Sequence, residues 1–263
     1  MRPNPILFVD GLCVRVGGAT LLEDASFTLA PSETLCVIGE SGAGKSTLLK
    51  AMQGLMPGTC RNFRFDPAGI DVTGEMPTNI GLPRTRWVMQ DPLAALNPRQ
   101  SLGKSIAESL HRHDMTPDAR RTATLIALTE VELPAEFHDR LPGQVALGQA
   151  QRACLARALV ARPDLIFFDE PLSALDALVQ KKIAYRMDVL QQRTNAAYVI
   201  VTHDIGFAES YADQILVLKN GRVEAYQTRE AFFSAPTSDY ARDLTAAAGA
   251  LGALRASAAE AAQ

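Results

Sequence analysis

One short stretch constrains the fold of this chain more than any other, and it reads Gly39-Glu40-Ser41-Gly42-Ala43-Gly44-Lys45-Ser46-Thr47. It follows an apolar run at 35–38 and opens a helix-like segment at 48–52, which is the strand, loop, helix context of a phosphate-binding loop. Glycines let the backbone wrap so that successive N–H groups face a polyphosphate, and the helix N-terminus adds partial positive charge. The motif predicts that the chain binds a nucleoside triphosphate.

Two side chains of this loop have the chemistry that a triphosphate requires. Lys45 is expected to reach the β- and γ-phosphates, and the Ser46 hydroxyl is expected to bind Mg²⁺. An aromatic ring that stacks on adenine would be expected ahead of the loop, but Val16 stands at that position. Since base stacking contributes about 1 to 3 kcal/mol, its absence predicts ATP binding that is weaker by roughly tenfold.

Composition narrows the class of protein. The 263 residues are 47% apolar and 21% charged with a net charge of -3, which is typical of a globular chain and argues against nucleic acid as the main partner. The cysteines show no C-x-x-C spacing, so reduced thiols in the cytoplasm are the simplest interpretation. No apolar run approaches the roughly 20 residues that span a bilayer. We therefore expect any membrane role to come through a partner.

Polar residues end two strand-like apolar runs in the second half of the chain. Asp169 and Glu170 follow the run at 165–168, and His203 follows the run at 198–201. The carboxyl ends of parallel strands are where α/β proteins place ligands. Asp169 is expected to hold Mg²⁺, directly or through water, and Glu170 to act as general base. Alternatively, the carboxylates only start a helix and the histidine is structural; the upstream phosphate loop favours the catalytic interpretation.

Other segments predict the surrounding elements. Strand-like pieces within 6–30 suggest a small antiparallel sheet, whereas Pro, Gly and Thr at 57–86 predict irregular structure with one or two short strands. Residues 102–134 are expected to be helical, with a start signal at Thr116-Pro117-Asp118. Asn220-Gly221 predicts a hairpin with a primed turn. The alanine-rich residues 246–263 are expected to form a weakly packed helix or a disordered tail.

Taken together, these motifs make the chain resemble the ATPase subunit of an ABC transporter. They come in that family's order over residues 12–225, namely the loop at 39–47, Gln90, Gln149-Ala150-Gln151-Arg152, Phe168-Asp169-Glu170, Ser173-Ala174-Leu175-Asp176 and His203. The resemblance implies that Gln90 binds Mg²⁺ and relays the nucleotide state, that Asp176 lies across a dimer interface, and that His203 touches the γ-phosphate. It also implies a head-to-tail dimer, in which each ATP lies between one chain's phosphate loop and the other's signature segment.

The resemblance further implies an α/β fold of the P-loop NTPase, RecA-like type. Its parallel-sheet core would carry an N-terminal antiparallel β-subdomain and an inserted helical subdomain. We expect one ABC ATPase domain over 1–263, with the nucleotide-binding core at 1–90 and 162–235. The helical subdomain would then occupy 91–161 and a C-terminal extension 236–263.

The signature segment, residues 145–149, departs from the family's Leu-Ser-Gly-Gly-Gln. It reads Val145-Ala146-Leu147-Gly148-Gln149, and the resemblance places Ala146, Gly148 and Gln149 against the partner's nucleotide. The missing serine hydroxyl removes a hydrogen bond worth about 1.5 to 3 kcal/mol. Leu147 in place of glycine adds about 1 to 2 kcal/mol if the backbone there is left-handed. The chain is therefore expected to pair with a different ATPase that supplies a better signature.

A narrower resemblance concerns the substrate. The stretch 89–98 and the ending 232–240 are similar to those of dipeptide, oligopeptide and nickel importer ATPases. They favour a bacterial importer of peptides, nickel or metal chelates on the cytoplasmic side of the inner membrane. Its partners would be a second ATPase, two permeases and a periplasmic or extracellular substrate-binding protein, without nucleic acid.

Two alternatives stay open. One is a soluble, non-transport ABC ATPase, for example in phosphonate breakdown, repair or translation, although such proteins often have two domains or long insertions that this chain lacks. The other is an ATP-dependent scaffold, against which the intact Glu170 and His203 argue because a scaffold needs no base.

Overall fold

The computed structural model describes residues 4–111 and 114–250. In this part of the chain the strands are β1 (Leu7–Val16), β2 (Ala19–Leu29), β3 (Thr34–Ile38), β4 (Thr59–Phe65), β5 (Ile70–Glu75), β6 (Thr85–Val88), β7 (Leu165–Asp169), β8 (Ala197–Val201), β9 (Gln214–Lys219) and β10 (Arg222–Thr228). The α-helices described are α1 (Lys45–Met52), α2 (Pro92–Ala95), α3 (Leu102–Glu108), α4 (Pro117–Glu130), α5 (Leu147–Leu159), α6 (Ala177–Thr194), α7 (Ile205–Tyr211), α8 (Arg229–Ser234) and α9 (Asp239–Ala250).

These elements form two compact units. One contains the described residues up to Pro83 and those from Val199 onward, and the other is Arg84–Tyr198. Each unit contains a parallel strand pair, β3 with β9 in the first and β6 with β7 in the second. Both units are therefore built on the α/β principle that the sequence predicts.

The first unit begins with the predicted antiparallel sheet. β1 pairs with both β2 and β4, and β4 pairs with β5. β9 and β10 form the predicted hairpin, and the φ angles of Asn220 (49°) and Gly221 (76°) are those of a primed turn. All five residues of β3 are buried, so the phosphate loop leaves a fully covered strand at its carboxyl end.

Residues 57–86 are more regular than their composition predicts. They contain two paired strands of seven and six residues, β4 and β5. Cys60, Phe63 and Phe65 of β4 are buried while Arg61 and Arg64 are exposed, so β4 is a half-buried strand that lies between β1 and β5 in the antiparallel sheet. The flanking prolines and glycines hide this pattern in the sequence.

Helix α4 of the second unit begins at the start signal that the sequence predicts. The Thr116 hydroxyl accepts a hydrogen bond from the Ala119 N–H at 3.2 Å, so α4 starts at the Thr-Pro-Asp signal. α2, α3 and α4 each pack against α5. Among the described residues there is no helix with the length and apolar character needed to cross a membrane.

Of the two alternatives for the alanine-rich end of the chain, the helix is the one found at residues 246–250. α9 includes residues 246–250 and buries Ala241 and Ala248. The remainder of the predicted tail, 251–263, lies outside the described residues.

Candidate functional site

The phosphate loop depends on glycine at two positions. Gly39 has φ 150° and a Cβ there would lie 2.1 Å from the Leu218 carbonyl oxygen. Gly44 has φ 104° and is the residue from which α1 begins, and its Cβ would lie 3.0 Å from the Leu21 carbonyl oxygen. The loop is thus pressed against the β9–β10 hairpin and β2, where a side chain would displace it.

Lys45 is the first residue of α1 and is 8% exposed. Its Nζ donates to the carbonyl oxygens of Gly39 and Glu40, at 2.7 Å each. The Glu40 carbonyl also accepts the Ala43 N–H at 3.2 Å. The ammonium group therefore lies inside the turn, while Ser46 and Thr47 follow it in the first turn of the helix. A buried cation beside main-chain amides at a helix N-terminus fits a polyphosphate.

His203 lies in a turn close to the start of this loop. The Thr202 N–H donates to the Val37 carbonyl at 3.1 Å, which fixes the turn beside the end of β3. The Thr202 hydroxyl accepts the Asp204 N–H at 3.0 Å, and the Asp204 carboxylate caps α7 through the Phe207 N–H at 2.9 Å. His203 itself is exposed. Within the first unit, the sequence-predicted histidine is held on the same side as the phosphate loop.

The second unit brings two other predicted residues together. Glu170 follows β7, and Gln90 follows β6, the strand that pairs with β7 in parallel. The Gln90 Nε2 donates to the Glu170 Oε2 at 3.2 Å. Asp169, the last residue of β7, is 6% exposed. The carboxylates of Asp169 and Glu170 and the amide of Gln90 therefore lie at the carboxyl ends of two neighbouring parallel strands of the second unit.

Glu170 has a strained backbone that its neighbours hold in place. Its φ is 49°, in the left-handed region that costs a non-glycine residue about 1 to 2 kcal/mol. Its carbonyl oxygen accepts hydrogen bonds from the Gln151 Nε2 at 3.3 Å, the Ser173 hydroxyl at 3.0 Å and the Ser173 N–H at 3.3 Å. Backbone strain of this kind persists where surrounding groups fix it, commonly at functional sites. Sequence reasoning missed the role of Gln151, whose only signal is its place in the Gln149-Ala150-Gln151-Arg152 run.

The signature segment forms the start of α5. Ala146 is the N-cap residue, and its N–H donates to the Gln149 Oε1 at 2.9 Å. Gln149 therefore supplies half of a capping box, but alanine has no oxygen with which to return the bond. A Cβ at Gly148 would lie 2.9 Å from the Ala174 carbonyl oxygen, so glycine allows α5 to pack on the turn that leads to Asp176. Asp176 is exposed and caps α6 through the Val179 N–H at 3.1 Å.

The prediction of backbone strain at Leu147 is wrong, because the backbone there is not left-handed. Leu147 is the first residue of α5, it is 49% exposed, and it is not among the described residues with positive φ. Leucine is compatible with helical φ and ψ, so only its bulk on the surface distinguishes it from glycine there. Of the two effects expected at this segment, only the one from the missing hydroxyl at Ala146 remains a prediction.

We expect Ala146→Ser to stabilise the chain by about 1 kcal/mol because a serine hydroxyl at the N-cap would accept an N–H of the first turn of α5. The measurement is the free energy of unfolding in urea. Ala119→Ser is the matched control, since Ala119 is exposed and lies in α4, which Thr116 already caps. That control is expected to lose about 0.5 kcal/mol through helix propensity. Equal losses in both variants would contradict the capping account.

The oxygen donors assigned to Mg²⁺ fit the ion chemically. The Ser46 hydroxyl, the Gln90 amide oxygen and the Asp169 carboxylate are hard ligands, and Mg²⁺ is usually held by one or two carboxylates together with substrate phosphates. Gln90 donates to Glu170 through its nitrogen, which leaves its amide oxygen for a cation. Val16, at the end of β1, is 45% exposed and offers no aromatic ring.

The family model and the similar sequences all point to ATP-binding proteins of ABC transporters. The ABC transporter family model matches residues 22–173. A Brucella ovis ATP-binding protein named for peptide import is 32% identical over an alignment of 252 residues, and the match covers 94% of this chain and 80% of the relative. The nickel import ATP-binding protein NikE of Pseudomonas putida is 39% identical over 218 residues, covering 81% of this chain and 78% of NikE. The glutathione import protein GsiA of Escherichia coli is 35% identical over 86% of this chain but only 36% of GsiA.

Solved structures agree with the family model. An ATP-binding cassette solved as a dimer in a post-hydrolysis state, with ADP and Pi bound, superposes with a TM-score of 0.74 and 27% identity. The match covers 85% of this chain and 98% of the cassette. CbiO1 of Clostridium perfringens, at a TM-score of 0.75 and 24% identity over 95% of this chain, has the same fold. By fold, motifs and sequence, this chain belongs to the ABC transporter family, as one of its ATP-hydrolysing cassette subunits.

Proposed function

We propose that this chain powers a bacterial importer of peptides, nickel or a metal chelate, bound to the cytoplasmic face of the inner membrane. The observation that carries the proposal is the likeness, over most of the chain, to relatives named for peptide and nickel import. Its partners would be two membrane permeases, a substrate-binding protein outside the membrane and a second cassette subunit.

In the proposed reaction, Glu170 accepts a proton from water while the water oxygen attacks the γ-phosphorus of ATP. The bond from that phosphorus to the leaving oxygen of ADP breaks, and phosphate and ADP are released. Lys45 would bind the β- and γ-phosphate oxygens, and His203 would contact the γ-phosphate. Bound Mg²⁺ would neutralise phosphate charge, with Ser46, Gln90 and Asp169 as its protein ligands.

Pairing with a different ATPase is the second part of the proposal. The chain retains the phosphate loop, Glu170 and His203, so it can complete a site to which a partner brings an intact signature. At the other site its own signature segment would face the partner's ATP, and Ala146 there has no hydroxyl to bind the γ-phosphate. Loss of one hydrogen bond to a charged group slows a step by about tenfold or more. One site of the heterodimer would therefore hydrolyse ATP while the other mainly holds it.

Purification from membranes tests the assignment to transport. A tagged full-length chain extracted in mild detergent is expected to bring down two integral membrane proteins and a second cassette ATPase in stoichiometric amounts, identified by mass spectrometry. Recovery with soluble enzymes alone would instead support a non-transport ABC ATPase.

A further inference from the structure

The segment that follows β10 is firmly attached to the first unit. The Gln227 side chain donates to the Ala235 carbonyl at 3.0 Å and accepts both the N–H and the hydroxyl of Thr237, each at 3.0 Å. The Ser238 hydroxyl then accepts the Ala241 N–H at 3.1 Å, which caps α9. Since α9 also packs against α7 and β10, these contacts hold its first turn in place.

Tyr240, in that first turn, reaches the phosphate loop. Its hydroxyl accepts the Glu40 N–H at 3.3 Å. The Lys219 ammonium lies 4.3 Å from the centre of its ring, a cation–π arrangement, and the residue is 8% exposed. Burial raises the pKa of the Tyr240 hydroxyl, and the hydrogen bond from the Glu40 N–H offsets only part of that rise. The hydroxyl therefore stays protonated at physiological pH.

The bond to Glu40 completes a chain of contacts that ends at Lys45. Glu40 is held from both sides, because its N–H donates to Tyr240 while its carbonyl accepts the Lys45 Nζ at 2.7 Å. The opposite end of the loop is held by the hairpin turn, where the Gly221 N–H donates to the Ala43 carbonyl at 2.9 Å. Tyr240 thus connects the C-terminal extension to the main chain that precedes Lys45.

We propose that Tyr240 is a positioning residue that holds the phosphate loop in its nucleotide-binding conformation, and so couples α9 to ATP affinity. The proposal rests on the assignment of residues 39–47 as the ATP-binding loop. Without the hydroxyl, the Glu40 N–H loses its acceptor and the loop populates other conformations. The apparent dissociation constant rises as the binding-competent fraction falls.

The test is Tyr240→Phe in the full-length chain, which keeps the ring and its contact with Lys219. We expect ATP, titrated without Mg²⁺ in a calorimeter, to bind about threefold to tenfold more weakly, the factor that corresponds to one net hydrogen bond. Tyr185→Phe is the matched control, because Tyr185 is 58% exposed on α6 in the other unit, and it is expected to bind ATP like the unaltered chain. Equal affinity for Tyr240→Phe and the unaltered chain would overturn the proposal.

Hydrogen exchange separates positioning from a merely structural role. In Tyr240→Phe, peptides that cover the loop at 39–44 are expected to exchange faster, while peptides of α9 keep their protection. Loss of protection throughout α9 would instead assign Tyr240 to packing and overturn the proposal. If the unaltered chain itself fails to bind ATP, the assignment of the phosphate loop fails, a result distinct from equal binding by both proteins.

Discussion

Replacing Glu170 by glutamine is expected to lower ATP turnover of the assembled complex by about 100-fold or more, the range that general base catalysis contributes. The amide has nearly the shape of the carboxylate but cannot accept a proton from water. The backbone at 170 should not move, because Gln151 and Ser173 hold its carbonyl oxygen whichever side chain is present. ATP binding should persist, and the ATP-bound dimer should accumulate in size-exclusion chromatography.

Glu136→Gln is the control for Glu170→Gln. Glu136 is an exposed carboxylate that pairs with Arg140 within the second unit, so its loss should leave turnover unchanged. If the assembled complex turned over at the same rate with Glu170→Gln as without it, Glu170 could not be the base.

Replacing Lys45 by methionine is expected to weaken ATP binding by about 100-fold. Methionine fills similar space without charge, so the phosphates lose charge-assisted hydrogen bonds worth about 1.5 to 3 kcal/mol each. The carbonyl oxygens of Gly39 and Glu40 lose their donor at the same time. Calorimetric titration with ATP measures the effect.

Lys50→Met in the same helix is the control for Lys45→Met. Lys50 is exposed in the last turn of α1, where a lost charge is far from the loop. If both variants bound ATP as tightly as the unaltered chain, the loop at 39–47 would not be the triphosphate site.

Local chemistry made part of the fold predictable. Asn220-Gly221 specifies a primed turn because both residues tolerate positive φ, and the hairpin forms there. Thr116 specifies a helix start through its own hydroxyl. The turn at the phosphate loop was predictable for the same reason, since Gly39, Gly42 and Gly44 all have the positive φ that glycine tolerates.

What could not be predicted depends on contacts distant in sequence. The left-handed backbone of Glu170 is held by Gln151, and nothing in the local sequence indicates that bond. Tyr240 and Glu40 are separated by 200 positions, so their hydrogen bond becomes visible only in the folded unit. At Leu147 the sequence suggested strain by analogy with glycine, whereas helical geometry there accommodates leucine.

The central claim is that this chain offers a defective signature and needs a different ATPase to turn over rapidly. The most direct test is the steady-state ATPase rate of the purified chain alone, at saturating ATP and Mg²⁺. The account predicts a rate well below about 1 per second, the lower end of typical enzyme turnover, and an increase with Ala146→Ser. A rate near or above about 1 per second from the unaltered chain alone would contradict it.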